Sequence, residues 1–130
     1  MTAETFAAIV WLYIAVAVVV SIAVAQKLDR RLHERLPSSR RYRWGYYIGS
    51  MGLACVPFAL LFTYALLVSA GDGQAERVGE FLVYGVYSAF QAICGWFIIK
   101  RRRWAWAFGT IFSLNIVLWI INGIYARNRW

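Results

Sequence analysis

The sequence predicts an all-α, polytopic membrane protein, folded as an antiparallel four-helix transmembrane bundle in one domain spanning residues 1–130. Three observations lead there. The chain is 62% hydrophobic and only 15% charged, where soluble domains carry roughly 45–50% apolar and about 25% charged residues. Its charges fall in clusters, and four apolar stretches between them meet the roughly 20 residues that a helix needs to cross hydrocarbon. The Lys and Arg residues are also distributed unequally between alternate linkers, as the positive-inside rule requires of a multi-pass protein.

The first expected span covers about 6–25. Ala23-Val24-Ala25 imitates a cleavage site, but no Lys or Arg precedes Lys27, so the basic n-region of a secretory leader is missing. The segment reads as a retained helix entering with its N-terminus outside.

The segment 26–45 is a basic loop with a helical extension. Leu28, Leu32 and Leu36 recur every four residues among charged neighbours, an amphipathic pattern that carries the first helix to about Leu36. Pro37-Ser38-Ser39 breaks it, and Arg40, Arg41 and Arg43 lead back to the surface. Arg30, Arg31, Arg35, Arg40, Arg41 and Arg43, with Arg101, Arg102 and Arg103 of the later linker, form a surface for anionic headgroups or an acidic partner. His33 reads as a solvated loop residue.

The second span covers about 46–69. Gly45 and Gly49 form a GxxxG pair, and Gly52, Ala59 and Thr63 continue that face. Pro57 removes one backbone donor and should kink the helix. Gly71-Asp72-Gly73 is a turn. The third span, about 81–99, carries a matching small-residue stripe of Gly85, Ser88, Ala92 and Gly95. These stripes suit close contact within the chain or, alternatively, a homodimer face.

The fourth span is expected as one helix over about 104–125. Helix rise then places Asn115 and Gln91 of the third span near the same mid-membrane depth, and predicts a hydrogen bond between them or a shared water. Toward the outside, Tyr84, Tyr87 and Gln91 follow one face, Asn115, Trp119 and Asn122 another, with Tyr13 and Thr63 at similar depth. They form either a polar-aromatic pocket open to the outside or a packed core.

Lys27, Arg30, Arg31, Arg35, Arg40, Arg41, Arg43, Lys100, Arg101, Arg102 and Arg103 fall on one side of such a bundle; Arg77, Arg127 and Arg129 fall on the other, with Glu4, Asp72, Glu76 and Glu80. This predicts cytoplasmic loops at 26–45 and 100–103 and both termini outside, in a bacterial inner membrane, since the loops are short and no glycosylation acceptor occurs. Tyr42, Trp44, Tyr46, Tyr47, Trp96, Trp104 and Trp106 read as the inner aromatic belt, Tyr125 and Trp130 as part of the outer one.

No acidic or basic residue lies inside a predicted span, which argues against an ion-coupled transporter. The one histidine, Cys55 and Cys94 offer no metal-ligand spacing, and no nucleophile–base constellation or phosphate-binding glycine motif occurs. The two cysteines sit at different depths and read as buried free thiols. The net charge of +8 is explained by the membrane, so nucleic acid is not an expected partner. The expected function is therefore that of a non-catalytic accessory or interaction subunit without cofactor or metal, acting within a larger membrane complex or a homo-oligomer. A lipid- or small-ligand-binding protein, or a small dimeric transporter using the outer pocket, is the alternative.

Overall fold

The computed structural model describes residues 2–128. Arg129 and Trp130, assigned above to the outer side, lie outside the described residues. The described residues form six helices: α1 (Ala3–Arg35), α2 (Arg43–Leu53), α3 (Val56–Gly71), α4 (Ala75–Ile99), α5 (Arg103–Ile111) and α6 (Ile116–Arg127). No strand occurs among the described residues.

Among the described residues, three segments are long and apolar enough to cross a membrane: α1, the stretch Arg43–Gly71 that holds α2 and α3, and α4. Helix α1 begins at Thr2, whose hydroxyl accepts the Thr5 N–H at 3.2 Å. Its 33 residues span about 50 Å, well beyond the roughly 30 Å of a hydrocarbon core. The amphipathic Leu28–Leu36 turns therefore extend past the apolar part. Helices α2 and α3 part at Ala54–Cys55. Pro57, in the first turn of α3, has no N–H to give the preceding turn. Tyr13 of α1 donates its hydroxyl to the Ala54 carbonyl at 2.5 Å at that break.

Helices α2 and α4 cross in backbone contact at their glycines. A Cβ built on Gly52 would meet the Gly95 Cα at 2.8 Å, and one on Gly95 would meet the Gly49 carbonyl at 2.6 Å. Backbone atoms occupy both places, so only glycine allows this approach. Ser88 and Ala92 are buried on the same helix. Gly45 and Gly85 play other parts. The space over Gly45 holds the ring of Tyr42, and Gly85 faces the Phe62 Cβ at an ordinary 3.5 Å.

The largest departure from expectation lies at the C-terminal end. Residues 104–125 do not form one continuous span. They form two short helices, separated at Phe112–Asn115 by a turn in which Leu114 has φ 52°. At 1.5 Å per residue, α5 and α6 reach about 14 and 18 Å, each near half of a hydrocarbon core. The turn is encoded by Ser113 and Asn115. Ser113 sends its hydroxyl back to the Thr110 carbonyl at 2.7 Å, and Asn115 Oδ1 caps α6 by accepting the N–H groups of Val117 and Leu118 at 3.0 and 3.2 Å. Helix α6 then turns back alongside α5. Trp106 of α5 donates its indole N–H to the Asn122 carbonyl at 3.3 Å, Tyr125 packs on Trp106 with ring centroids 5.3 Å apart, and Arg40 donates to the carbonyl of Asn128.

This hairpin returns the chain to the end at which α1 finishes and α2 begins. Asn128 thus lies beside the basic loop, while the first turn of α1 lies at the far end of the helices. The expectation of one unbroken helix carrying Tyr125 and the residues after it away from the basic loops does not match this geometry, since Tyr125 and Asn128 lie beside Arg41 and Arg40.

Candidate functional site

Two regions bring polar side chains together: a small cavity inside the hairpin and the basic end.

The cavity is about 220 Å³ and lies between α2, α4, α5 and α6. Of the eight residues proposed as an outer pocket, Tyr87, Gln91 and Asn122 line it, beside Gly52, Cys55 and Ser113. Gln91 and Asn115 do not meet. Gln91 donates through Nε2 to the Phe112 carbonyl at 3.1 Å, and Tyr87 donates its hydroxyl to the same oxygen at 3.0 Å. The depth argument brought α4 to the right neighbourhood, but the partner is a carbonyl at the α5–α6 turn, and the Asn115 side chain is committed to its own helix. Broken helix ends in apolar surroundings need such donors and acceptors from neighbouring elements.

Asn122 is 1% exposed. Its Oδ1 accepts the indole N–H of Trp44 at 2.8 Å, and its Nδ2 donates to Thr110 Oγ1 at 3.1 Å. With Trp106 on its backbone carbonyl, it joins α2, α5 and α6. The remaining five residues are not gathered here. Tyr13 packs edge-on against Phe58, Thr63 Oγ1 turns back to the Ala59 carbonyl, and Tyr84 and Trp119 lie exposed on the outer surface of α4 and α6. Asn115 is exposed as well.

The basic end is where α1 stops, α2 starts, the α4–α5 linker turns and α6 finishes. Its framework is Asp29 and Tyr42, both almost fully buried. Asp29 Oδ1 accepts the Tyr42 N–H at 2.7 Å, Oδ2 lies 3.8 Å from Arg43 Nε, and Tyr42 donates its hydroxyl to the Ile98 carbonyl at 3.0 Å. One buried carboxylate thus ties α1 to α2, and one phenol ties both to α4. Arg101 lies over the Tyr42 ring at 5.6 Å. It also holds φ 60° in the turn that ends α4, where its N–H bonds the Ile98 carbonyl and the next N–H bonds that of Phe97.

Around this framework stand Arg30, Arg31 and Arg35 on the last turns of α1, Arg40 and Arg41 in the linker, and Arg102 and Arg103 where α5 begins. Two openings flank Arg41 and Arg43. One, of about 450 Å³, is polar and adds Gln26, Asp29, Arg30 and His33. The other, of about 520 Å³, is mainly apolar and adds Ile22, Ala25, Trp44, Tyr47 and Tyr125. Sequence reasoning singled out the arginines but missed the parts played by Asp29, Tyr42 and Trp44. Asp29 carried one usable signal, an acid facing a basic linker across a Pro-Ser-Ser break.

Among the described residues no group of His, Cys, Asp and Glu is placed to hold a metal ion, and Cys55 and Cys94 are free thiols. Comparison with protein-family models, with curated proteins and with solved structures gives no match to this chain.

Proposed function

We propose that this chain is a non-catalytic, multi-pass protein of a bacterial inner membrane, crossing it three times and closing with a hairpin that enters and leaves from the cytoplasmic side. In this reading the N-terminus is outside, the C-terminus is inside, and the protein works by binding through its basic end.

The observation that carries the reading is the seating of Asn128 against Arg40. It brings Arg127 to the end that holds the eleven basic residues expected in the cytoplasm, and leaves Arg77 as the one described Lys or Arg at the other end, among Glu4, Asp72, Glu76 and Glu80. Charge asymmetry of this kind sets orientation. A binding role through the basic end fits the convergence of five helix termini there, each bringing cationic side chains toward the depth of anionic headgroups. The hairpin cavity suits this role less well. At about 220 Å³ it falls below the 300–1,000 Å³ common for ligand sites. Its polar groups are largely spent on the hairpin's own backbone.

Two measurements test the reading. External protease on intact cells should remove a tag at the N-terminus and spare one at the C-terminus; removal of the C-terminal tag would overturn the topology. The full chain in nanodiscs of phosphatidylglycerol should melt higher than in phosphatidylcholine, with the difference shrinking as salt rises. Equal melting in the two lipids would overturn the role of the basic end.

A further inference from the structure

We infer that the basic end holds one anionic glycerophospholipid at a defined place: its phosphodiester in the polar cleft of Arg30, Arg41 and Arg43, and an acyl chain in the adjoining groove of Ile22, Trp44 and Tyr47. This deepens the basic-end reading and rests on it.

The two openings share Arg41 and Arg43, so one pair of guanidinium groups stands at the boundary between a polar cleft of about 450 Å³ and a mainly apolar groove of about 520 Å³. An amphiphile with an anionic head has that division of chemistry. In the cleft, Arg30, Arg41 and Arg43 face a single acid, Asp29, which is 4% exposed and already engaged by the Tyr42 N–H and by Arg43. The balance of charge left for a ligand is positive, and guanidinium forks match phosphate oxygens in pairs.

The groove supplies the second half of the argument. Ile22 and Ala25 come from the last apolar turns of α1, just before Lys27 begins the charged part. Trp44 and Tyr47 stack with centroids 5.3 Å apart at the start of α2. Aromatic rings at this depth belong to the headgroup boundary. Ile22 is 45% exposed, so the groove opens sideways along α1, in the direction from which a lipid tail would enter. A free phosphate or a soluble phosphate ester would use the cleft and leave the groove empty, so a lipid is the occupant that accounts for both.

The test is native mass spectrometry of the full chain in mild detergent, titrated with dioleoylphosphatidylglycerol or dioleoylphosphatidylcholine. One phosphatidylglycerol per chain should be retained in preference to phosphatidylcholine. The double variant R30Q/R41Q should weaken that retention by tenfold or more, taking about 1 kcal/mol for each basic side chain. I22W, which fills the groove from an exposed position, should weaken it too. R31Q and R102Q remove equal charge from the basic end outside the cleft and should weaken it far less than R30Q/R41Q does.

If R31Q and R102Q weaken retention as much as the cleft variants, the defined site is overturned while a diffuse basic surface still stands. If glycerol 3-phosphate displaces the lipid at equal concentration and I22W has no effect, the lipid assignment is overturned in favour of a soluble phosphate. If phosphatidylglycerol shows no preference at all, both this site and the basic-end reading fall.

Discussion

Trp44 donates its indole N–H to Asn122 across 78 residues of sequence, at 2.8 Å. Because Asn122 also takes the Trp106 N–H on its carbonyl and gives its own amide to Thr110, the three bonds anchor α6 to both α2 and α5. Buried polar groups of this kind cost far more when left half-satisfied than they contribute when complete.

The first prediction follows directly. Asn122→Leu should leave the Trp44 N–H and the Thr110 hydroxyl without their partner and lower stability by about 2–6 kcal/mol, at about 1–3 kcal/mol for each part-buried group left unsatisfied. Trp44→Phe added to Asn122→Leu should cost less than Trp44→Phe alone. Thermal unfolding of the four proteins of that cycle checks this, and additive losses would count against the bond.

A second cycle separates the two contacts at the α5–α6 turn. Gln91 and Tyr87 share the Phe112 carbonyl, so Gln91→Leu and Tyr87→Phe should be coupled, each single loss lying near 0.6–2 kcal/mol. Gln91→Leu and Asn115→Leu should combine almost additively, because the Asn115 side chain bonds its own helix. Asn115→Ser should keep most of the cap that Asn115→Leu loses, a difference of about 1 kcal/mol. Coupling of Gln91 to Asn115 in place of Tyr87 would mean that the fourth span is continuous after all.

Asn and Asp should differ measurably at position 29. Asp29→Asn keeps an acceptor for the Tyr42 N–H and loses the attraction to Arg43, whereas Asp29→Ala loses both. A hydrogen bond to a buried charge is worth about 1.5–3 kcal/mol, so Asp29→Ala should be the more damaging change in a chemical-denaturation series. Equal losses would assign the effect to the ion pair alone.

Glycine substitutions should divide by what a Cβ meets. Gly95→Ala drives a methyl into the backbone of α2 and should cost several kcal/mol or prevent assembly. Gly123→Ala and Gly79→Ala have open space around them and lie within helices, so each should raise helix stability by about 0.5–1 kcal/mol. Melting temperatures of the three variants in one detergent decide the ordering.

The three long apolar helices were legible because length and hydropathy carry that signal, whatever the tertiary contacts. The α5–α6 break was not, because Phe112–Asn115 holds neither glycine nor proline and hydropathy is blind to direction. The residues that make the turn, Ser113 and Asn115, were visible, and their side chains compete with helix backbone for hydrogen bonds. Read as cap residues, they divide 104–125 into halves too short to span. Read as mid-membrane polar groups, they suggest a bonded pair with Gln91. The error then propagated, since an unbroken helix carried Asn122, Tyr125 and Arg127 to the wrong end and suggested an outer pocket from residues that the fold separates. Asp29 and Tyr42 were hard to find for another reason. Their contact crosses a Pro-Ser-Ser linker whose path no periodicity describes.

The hairpin also depends on residues that precede it in the chain. A polypeptide is made from its N-terminus, and the bonds that hold α6 and the turn before it reach back to residues made earlier: Trp44, Tyr87 and Gln91, and the linker at Arg40. A chain whose hairpin is open therefore leaves the donors of Trp44, Tyr87 and Gln91 without these acceptors.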